Sequence, residues 1–163
     1  MNLWILSLSH LLHVLGTVVW IGGIFMTLCV ILPSTKAALE SSPVVGEIMK
    51  EVTQRFTPMA NISILILIGT GITIFNFDKN FTSFLDFHKT WNMVVYIKLL
   101  LVCVMILIHF YRGLILTPKI VKSSTQANVT HTAKLKKFSL DLVKTNFVLG
   151  IIVLMFAAVS ISL

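Results

Sequence analysis

Four stretches of this chain, running approximately from Leu3 to Leu32, Pro58 to Phe77, Trp91 to Leu116 and Leu140 to Leu163, are long and apolar enough to cross a bilayer, which takes about 20 residues of helix. That decides the fold class. Lipid offers no partner to backbone N–H and C=O groups, so only helices and closed barrels span it. These runs lack the short apolar–polar alternation of barrel strands. The sequence therefore predicts an all-α, up-down bundle of four transmembrane helices, with residues 1–163 forming one transmembrane domain.

Composition agrees with this reading. The chain is 56% hydrophobic and 12% charged, with mean hydropathy +0.95, where a soluble domain carries about 25% charged residues. Its net charge of +7 does not point to nucleic acid. There is no interleaving of basic and aromatic residues and no groove-reading helix, and the basic residues lie between the apolar blocks.

Topology accounts for the charge better. Residues 33–56 hold Lys36, Lys50 and Arg55, and residues 112–144 hold Arg112, Lys119, Lys122, Lys134, Lys136, Lys137 and Lys144, against Lys79 and Lys89 alone in residues 78–90. The positive-inside rule then puts the first and third loops in the cytoplasm and both termini outside, in a multi-pass inner-membrane protein. The first block is too long for a signal-peptide core and lacks a basic start and a small-residue cleavage site, so it is expected to stay.

The loops read as connectors. Residues 33–57 open at Pro33 and pass through Ser41-Ser42-Pro43 into VVGEIMKEVTQRF, a candidate short amphipathic helix along the inner interface. Ser123 to Thr132 is polar, rich in Ser and Thr, and expected to be mobile. No phosphate-cradling glycine loop, tandem repeat or soluble catalytic domain fits these lengths. The Asn-x-Ser/Thr matches at Asn61, Asn80 and Asn128 are weak, the first being embedded and the third on the cytoplasmic side. Function is expected inside the bundle.

The first block contains HLLHVLGTVVWIGG, residues 10–23. Three-four spacing places His13, Gly16, Trp20, Gly23 and Thr27 on one helical face, with His10 a turn earlier on nearly the same side. Small residues let backbones approach or leave room for a flat ligand, and Trp20 offers an aromatic wall. The other spans add Asn61, Gly69, Thr70, Gly71 and Asn76, then Lys98, Cys103, Met105 and His109, then Asn146. Ionisable groups at membrane depth are costly and tend to face cavities, partners or cofactors.

Plainer roles stand beside these. Embedded histidines also bond across helices, Lys98 can snorkel, and His109 is close to Arg112 and the inner boundary. His88 and His131 read as solvated loop residues, and Met26 with Cys29 as apolar packing. Cys29 and Cys103 are expected at different depths, which argues against a disulfide. His109 is eleven residues beyond Lys98, roughly 16 Å further inward at 1.5 Å per residue. A single haem between His13 and His109 would therefore need a large stagger, leaving one outer haem or separate outer and inner sites.

The span LLHVLGTVVWIGGIF, Arg55-Phe56 ahead of a span with Gly69 and Gly71, and Lys98 followed by Arg112 and Pro118 resemble the copper-resistance protein D (CopD) family over most of the chain. The chain is also similar to HemJ, the membrane protoporphyrinogen oxidase family. There, too, a histidine stands seven residues before a tryptophan, as His13 does before Trp20, and lysine and histidine are eleven apart, as Lys98 and His109 are. The HemJ likeness implies that His13 ligates haem and that Lys98 and His109 are functional. Leu32-Pro33-Ser34 departs from the Leu-Pro-Arg of that family, which makes porphyrinogen oxidation the weaker implication.

The leading expectation is a b-type haem protein passing electrons in the membrane or to a respiratory or oxidase complex. Neutral imidazole from His13, His10 or His109 would ligate the metal. Gly16 and Gly23 would seat the macrocycle, Trp20 would pack on it, and Lys98 would pair with a propionate. The principal alternative is copper binding or transport, with His10, His13, Met26, Cys29, Cys103 and Met105 as imidazole, thiolate and thioether donors. A third is a structural subunit anchoring a membrane complex.

Overall fold

The computed structural model describes residues 3–39, 43–77, 90–126 and 129–162. Apart from turns at Leu39, Phe77 and Gln126 these are helical, with no strand among the described residues. The order is α1 (Leu3–Phe25), a π-helical segment (Met26–Ile31), α2 (Leu32–Ala38), α3 (Pro43–Asn76), α4 (Thr90–Tyr111), a second π-helical segment (Arg112–Leu116), α5 (Thr117–Thr125) and α6 (Val129–Ser162). Four continuous helical rods, Leu3–Ala38, Val44–Asn76, Thr90–Thr125 and Val129–Ser160, are long and apolar enough to cross a membrane. The expected four spans are present.

The rods are longer than the apolar blocks, and several loop expectations need correction. VVGEIMKEVTQRF is not a separate interfacial helix but the first part of α3, which runs on through Pro58. An ion pair one turn apart, Arg55 Nε to Glu51 Oε1 at 2.7 Å, supports the helix there. Ser123 to Thr125 closes α5, and Val129 to Thr132 opens α6, so most of the stretch expected to be mobile is helical. The Asn80, Asn128 and His88 expectations lie outside the described residues.

Pro33 and Pro118 do not end their helices either. Each stands just inside a new helix, α2 and α5, directly after a π-helical segment. Proline lacks an N–H and its ring crowds the carbonyl four residues back. In the wider π turn the residue before each proline reaches five back instead: the Leu32 N–H bonds Thr27 O, and the Thr117 N–H bonds Arg112 O. Thr117 Oγ1 donates to the same Arg112 carbonyl at 2.9 Å. The chain thus passes each proline without losing its helical course.

The chain forms two compact units, Met1–Ser83 and Phe84–Leu163. In the first, α1 packs along α3, with Ser9, Gly16, Trp20, Ile21 and Ile24 buried against Ala60, Ser63, Ile64 and Thr70. In the second, α4 packs along α6, burying Met105, His109, Asn146 and Gly150. The plan is the same in both units: a rod interrupted by a π segment before a proline, followed in the chain by an unbroken antiparallel rod. Measured from the prolines, His13 and Lys98 occupy equivalent places twenty residues upstream, as do the buried Trp20 and Met105 thirteen upstream. No sequence repeat announces this.

In each unit many large apolar side chains are exposed, among them Trp4 and Leu65 in the first and Leu107 and Leu114 in the second. In water so much exposed apolar side-chain surface would drive association. Lipid is the solvent that suits it.

Candidate functional site

Gly16 and Gly23 set how closely α1 and α3 approach. A Cβ on Gly16 would meet Leu67 Cγ at 3.2 Å and the Ser63 carbonyl oxygen at 3.4 Å, and a Cβ on Gly23 would run into the Phe56 ring. Both spaces are thus filled by α3 side chains. Gly16 and Gly23 were expected to make room for a macrocycle; within this unit they make room for Leu67 and Phe56. Trp20, at 2% exposure, is buried in the seam between them.

His13 stands one turn from Gly16 on the same seam, half-buried. Its Nδ1 lies 2.9 Å from Thr70 Oγ1, and its Cε1 is the nearest atom to the open side of Gly71, at 3.6 Å from where a Cβ would be. Thr70 has one proton, and that proton goes to the Ile66 carbonyl at 2.6 Å. Thr70 must therefore accept from His13, so Nδ1 carries the hydrogen. In the neutral ring the lone pair then resides on Nε2, the state in which imidazole ligates a metal. A bond of this kind also fixes the plane of the ring.

His10, one turn before, is exposed, so it does not share the buried part of the seam. Thr27, expected on the same face, is half-buried and donates to the Gly23 carbonyl at 2.8 Å. Met26 and Cys29 are exposed on the π segment. In the second unit Lys98 is half-buried, Met105 and His109 are buried on one face of α4, and Cys103 is exposed on another. His109 meets the Phe110 ring edge-on, with centroids 5.5 Å apart. Among the described residues, no three His, Cys, Asp or Glu side chains gather as a metal-binding group.

Asn146 of α6 is 4% exposed, and its Oδ1 has no hydrogen-bond partner among the described residues. A bond from Thr132 Oγ1 to Ser123 Oγ at 2.8 Å fixes the hairpin register of this unit. Counting back along both rods from that pair puts Asn146 near the level of His109, and Gly150 near that of Met105. Met105, His109 and Asn146 thus bring a thioether, an imidazole and an amide oxygen to one buried stretch of the second unit.

Sequence reasoning placed Thr70 among the polar residues of its span but gave it no partner, because the pairing depends on the register of the hairpin. The Ser123, His131 and Thr132 group was missed for the same reason. His131, expected to be a solvated loop residue, is in α6 with Nδ1 3.0 Å from Ser123 Oγ. The polarity that made this stretch look like a loop is what bonds the rods together.

The sequence model of the family described as CopD, copper resistance protein D, matches residues 50–160. The match takes in most of α3, all of α4 and α5 and nearly all of α6, while His13 lies ahead of it. No curated protein and no solved structure matches the chain. With more than half its length matched and four helices fit to cross a membrane, the chain belongs to the copper resistance protein D family.

Proposed function

We propose that this protein handles copper ions within the membrane, with His13 Nε2 as a ligand from the first unit. The observation that carries the reading is the relay from His13 Nδ1–H to Thr70 Oγ1 to Ile66 O, which sets the ring in the metal-binding tautomer at membrane depth. Membership in the CopD family supports copper as the ion. Imidazole and thioether suit copper, and in the second unit Met105 with His109 would offer one of each. Donor sets this sparse fit an ion in passage, a cargo, rather than a tightly held resident. The Lys and Arg distribution supports first and third loops on the cytoplasmic side.

The b-type haem and electron-transfer reading would use the same nitrogen. It is the weaker reading, because Leu67 and Phe56 fill the places at Gly16 and Gly23. The HemJ likeness rests on residue spacing alone.

The test is copper binding by purified full-length protein in detergent, under reducing conditions, against a chromophoric Cu(I) competitor. Copper should bind the wild type, and His13→Ala should weaken it. Equal binding by both would end the proposal. A Soret band that persists through purification and vanishes in His13→Ala, without copper, would replace it with the haem reading.

A further inference from the structure

We propose that the second unit carries an anion site for a phosphate group where α5 meets α6, lined by Lys119, Lys122, Ser123, Gln126 and His131. These residues surround a concavity of about 300 Å³, ample for a phosphate. Lys119 and Lys122 are three apart on α5, so their ammonium groups share a face. The one acidic residue of this unit among those described, Asp141, lies on α6 beside Lys144, 3.9 Å away. Neither pocket lysine has a carboxylate partner among the described residues.

The floor of the site is built, not incidental. Ser123, 5% exposed, receives the Thr132 proton at 2.8 Å and has one proton of its own to place. His131 Nδ1, at 3.0 Å, is the acceptor in reach. That leaves the hydrogen of the neutral ring on Nε2, the opposite tautomer to His13. His131 is therefore set as a donor where His13 is set as a ligand. With the Gln126 amide and two ammonium groups it completes a donor-rich lining for oxyanions. His131 also lies in the first turn of α6, where the helix dipole favours negative charge.

Phosphate oxygens match this chemistry, and two sources supply them: the headgroup of an acidic phospholipid and a free phosphate ion. The site is at the end of rods that cross the membrane, the depth at which basic pockets meet headgroups.

Delipidated full-length protein is titrated with nanodiscs or micelles of phosphatidylglycerol, of phosphatidylcholine, and with inorganic phosphate, reading bound lipid by native mass spectrometry and the thermal unfolding midpoint. Phosphatidylglycerol should bind more tightly than phosphatidylcholine. Lys119→Gln/Lys122→Gln should weaken it by roughly tenfold or more, at about fivefold per lysine near an anionic surface. Lys136→Gln/Lys137→Gln removes the same charge from exposed positions outside the pocket and should weaken binding clearly less than the pocket pair does. Inorganic phosphate binding with the same lysine dependence, without a phosphatidylglycerol preference, would identify the free ion as the occupant of the same site. If the two double variants weaken binding equally, or the wild type binds neither probe better than Lys119→Gln/Lys122→Gln, the site does not exist. All four lysines are exposed, so the variants are expected to fold.

Discussion

Thr70 holds His13 in one tautomer: its hydroxyl accepts from Nδ1 at 2.9 Å because its own proton is committed to the Ile66 carbonyl at 2.6 Å. Thr70→Val keeps the shape and removes the acceptor. Partners that orient a metal-binding histidine are typically worth about 10–100-fold in affinity, so Cu(I) affinity should fall within that range. Thr70→Ser, which keeps the hydroxyl, should restore most of it. The accompanying loss of stability should be only about 0.5–1.5 kcal/mol, the usual net value of such a bond. Competition titration and thermal unfolding of the same samples separate the two effects. A copper affinity that follows stability alone, with Ser no better than Val, would reduce Thr70 to a packing residue.

The tandem glycines of α1 are not equivalent. A Cβ on Gly22 would meet nothing within 4 Å, whereas one on Gly23 would run into the Phe56 ring. Gly23→Ala should destabilise the first unit by about 1–3 kcal/mol, the usual cost of overpacking, and Gly22→Ala should be close to neutral. Phe56→Leu, placed with Gly23→Ala, should recover part of the loss, because it takes away the ring the new methyl strikes. Unfolding midpoints of the wild type, Gly23→Ala, Phe56→Leu and the double variant form a double-mutant cycle with a measurable coupling. Equal effects at Gly22 and Gly23 would contradict the packing described.

Much of this was legible in the sequence. Apolar length alone gave four helices, and three-four spacing gave the seam of His13, Gly16, Trp20 and Gly23. The helix ends were not legible, for two physical reasons. An apolar window marks where lipid begins, not where a helix stops, so the polar first halves of α3 and α6 were left out. Pro33 and Pro118 look like stops only if the preceding turns are α-helical; a π turn removes the conflict, and nothing in Met26–Ile31 or Arg112–Leu116 announces one. Pairings such as His13 with Thr70 needed the register across a short connection. Periodicity within one helix does not contain it.

Asn146 offers a test with an uncommon sign. Its Oδ1 is buried without a hydrogen-bond partner among the described residues, and an unsatisfied buried acceptor costs about 1–3 kcal/mol. Asn146→Leu, branched at the same atom and without that oxygen, should therefore stabilise the second unit, raising its unfolding midpoint. If the oxygen is kept because it serves copper beside Met105 and His109, the same variant should bind copper less well. A stabilised variant with unchanged copper binding would separate Asn146 from the proposed function. A destabilised one would mean that the oxygen is satisfied in the membrane.

The two π segments make a prediction about local opening. At Thr117 the backbone N–H and the hydroxyl both converge on the Arg112 carbonyl, an arrangement that accommodates the proline that follows. Pro118→Ala supplies an N–H and removes the ring, so a regular α-helix can close over Arg112–Leu116. Amide exchange across that segment should slow, because the alanine N–H can join the helical bonding that proline interrupts. Pro33→Ala should do the same over Met26–Ile31, whose wide turn ends in the bond from Leu32 N–H to Thr27 O. Hydrogen exchange by mass spectrometry resolves both segments in one experiment. Protection that rises at one proline and not the other would mean that the two turns have different causes, and that the matching plan of the two units is superficial. Equal protection in wild type and variants would show that the surrounding packing, rather than proline, imposes the wide turn.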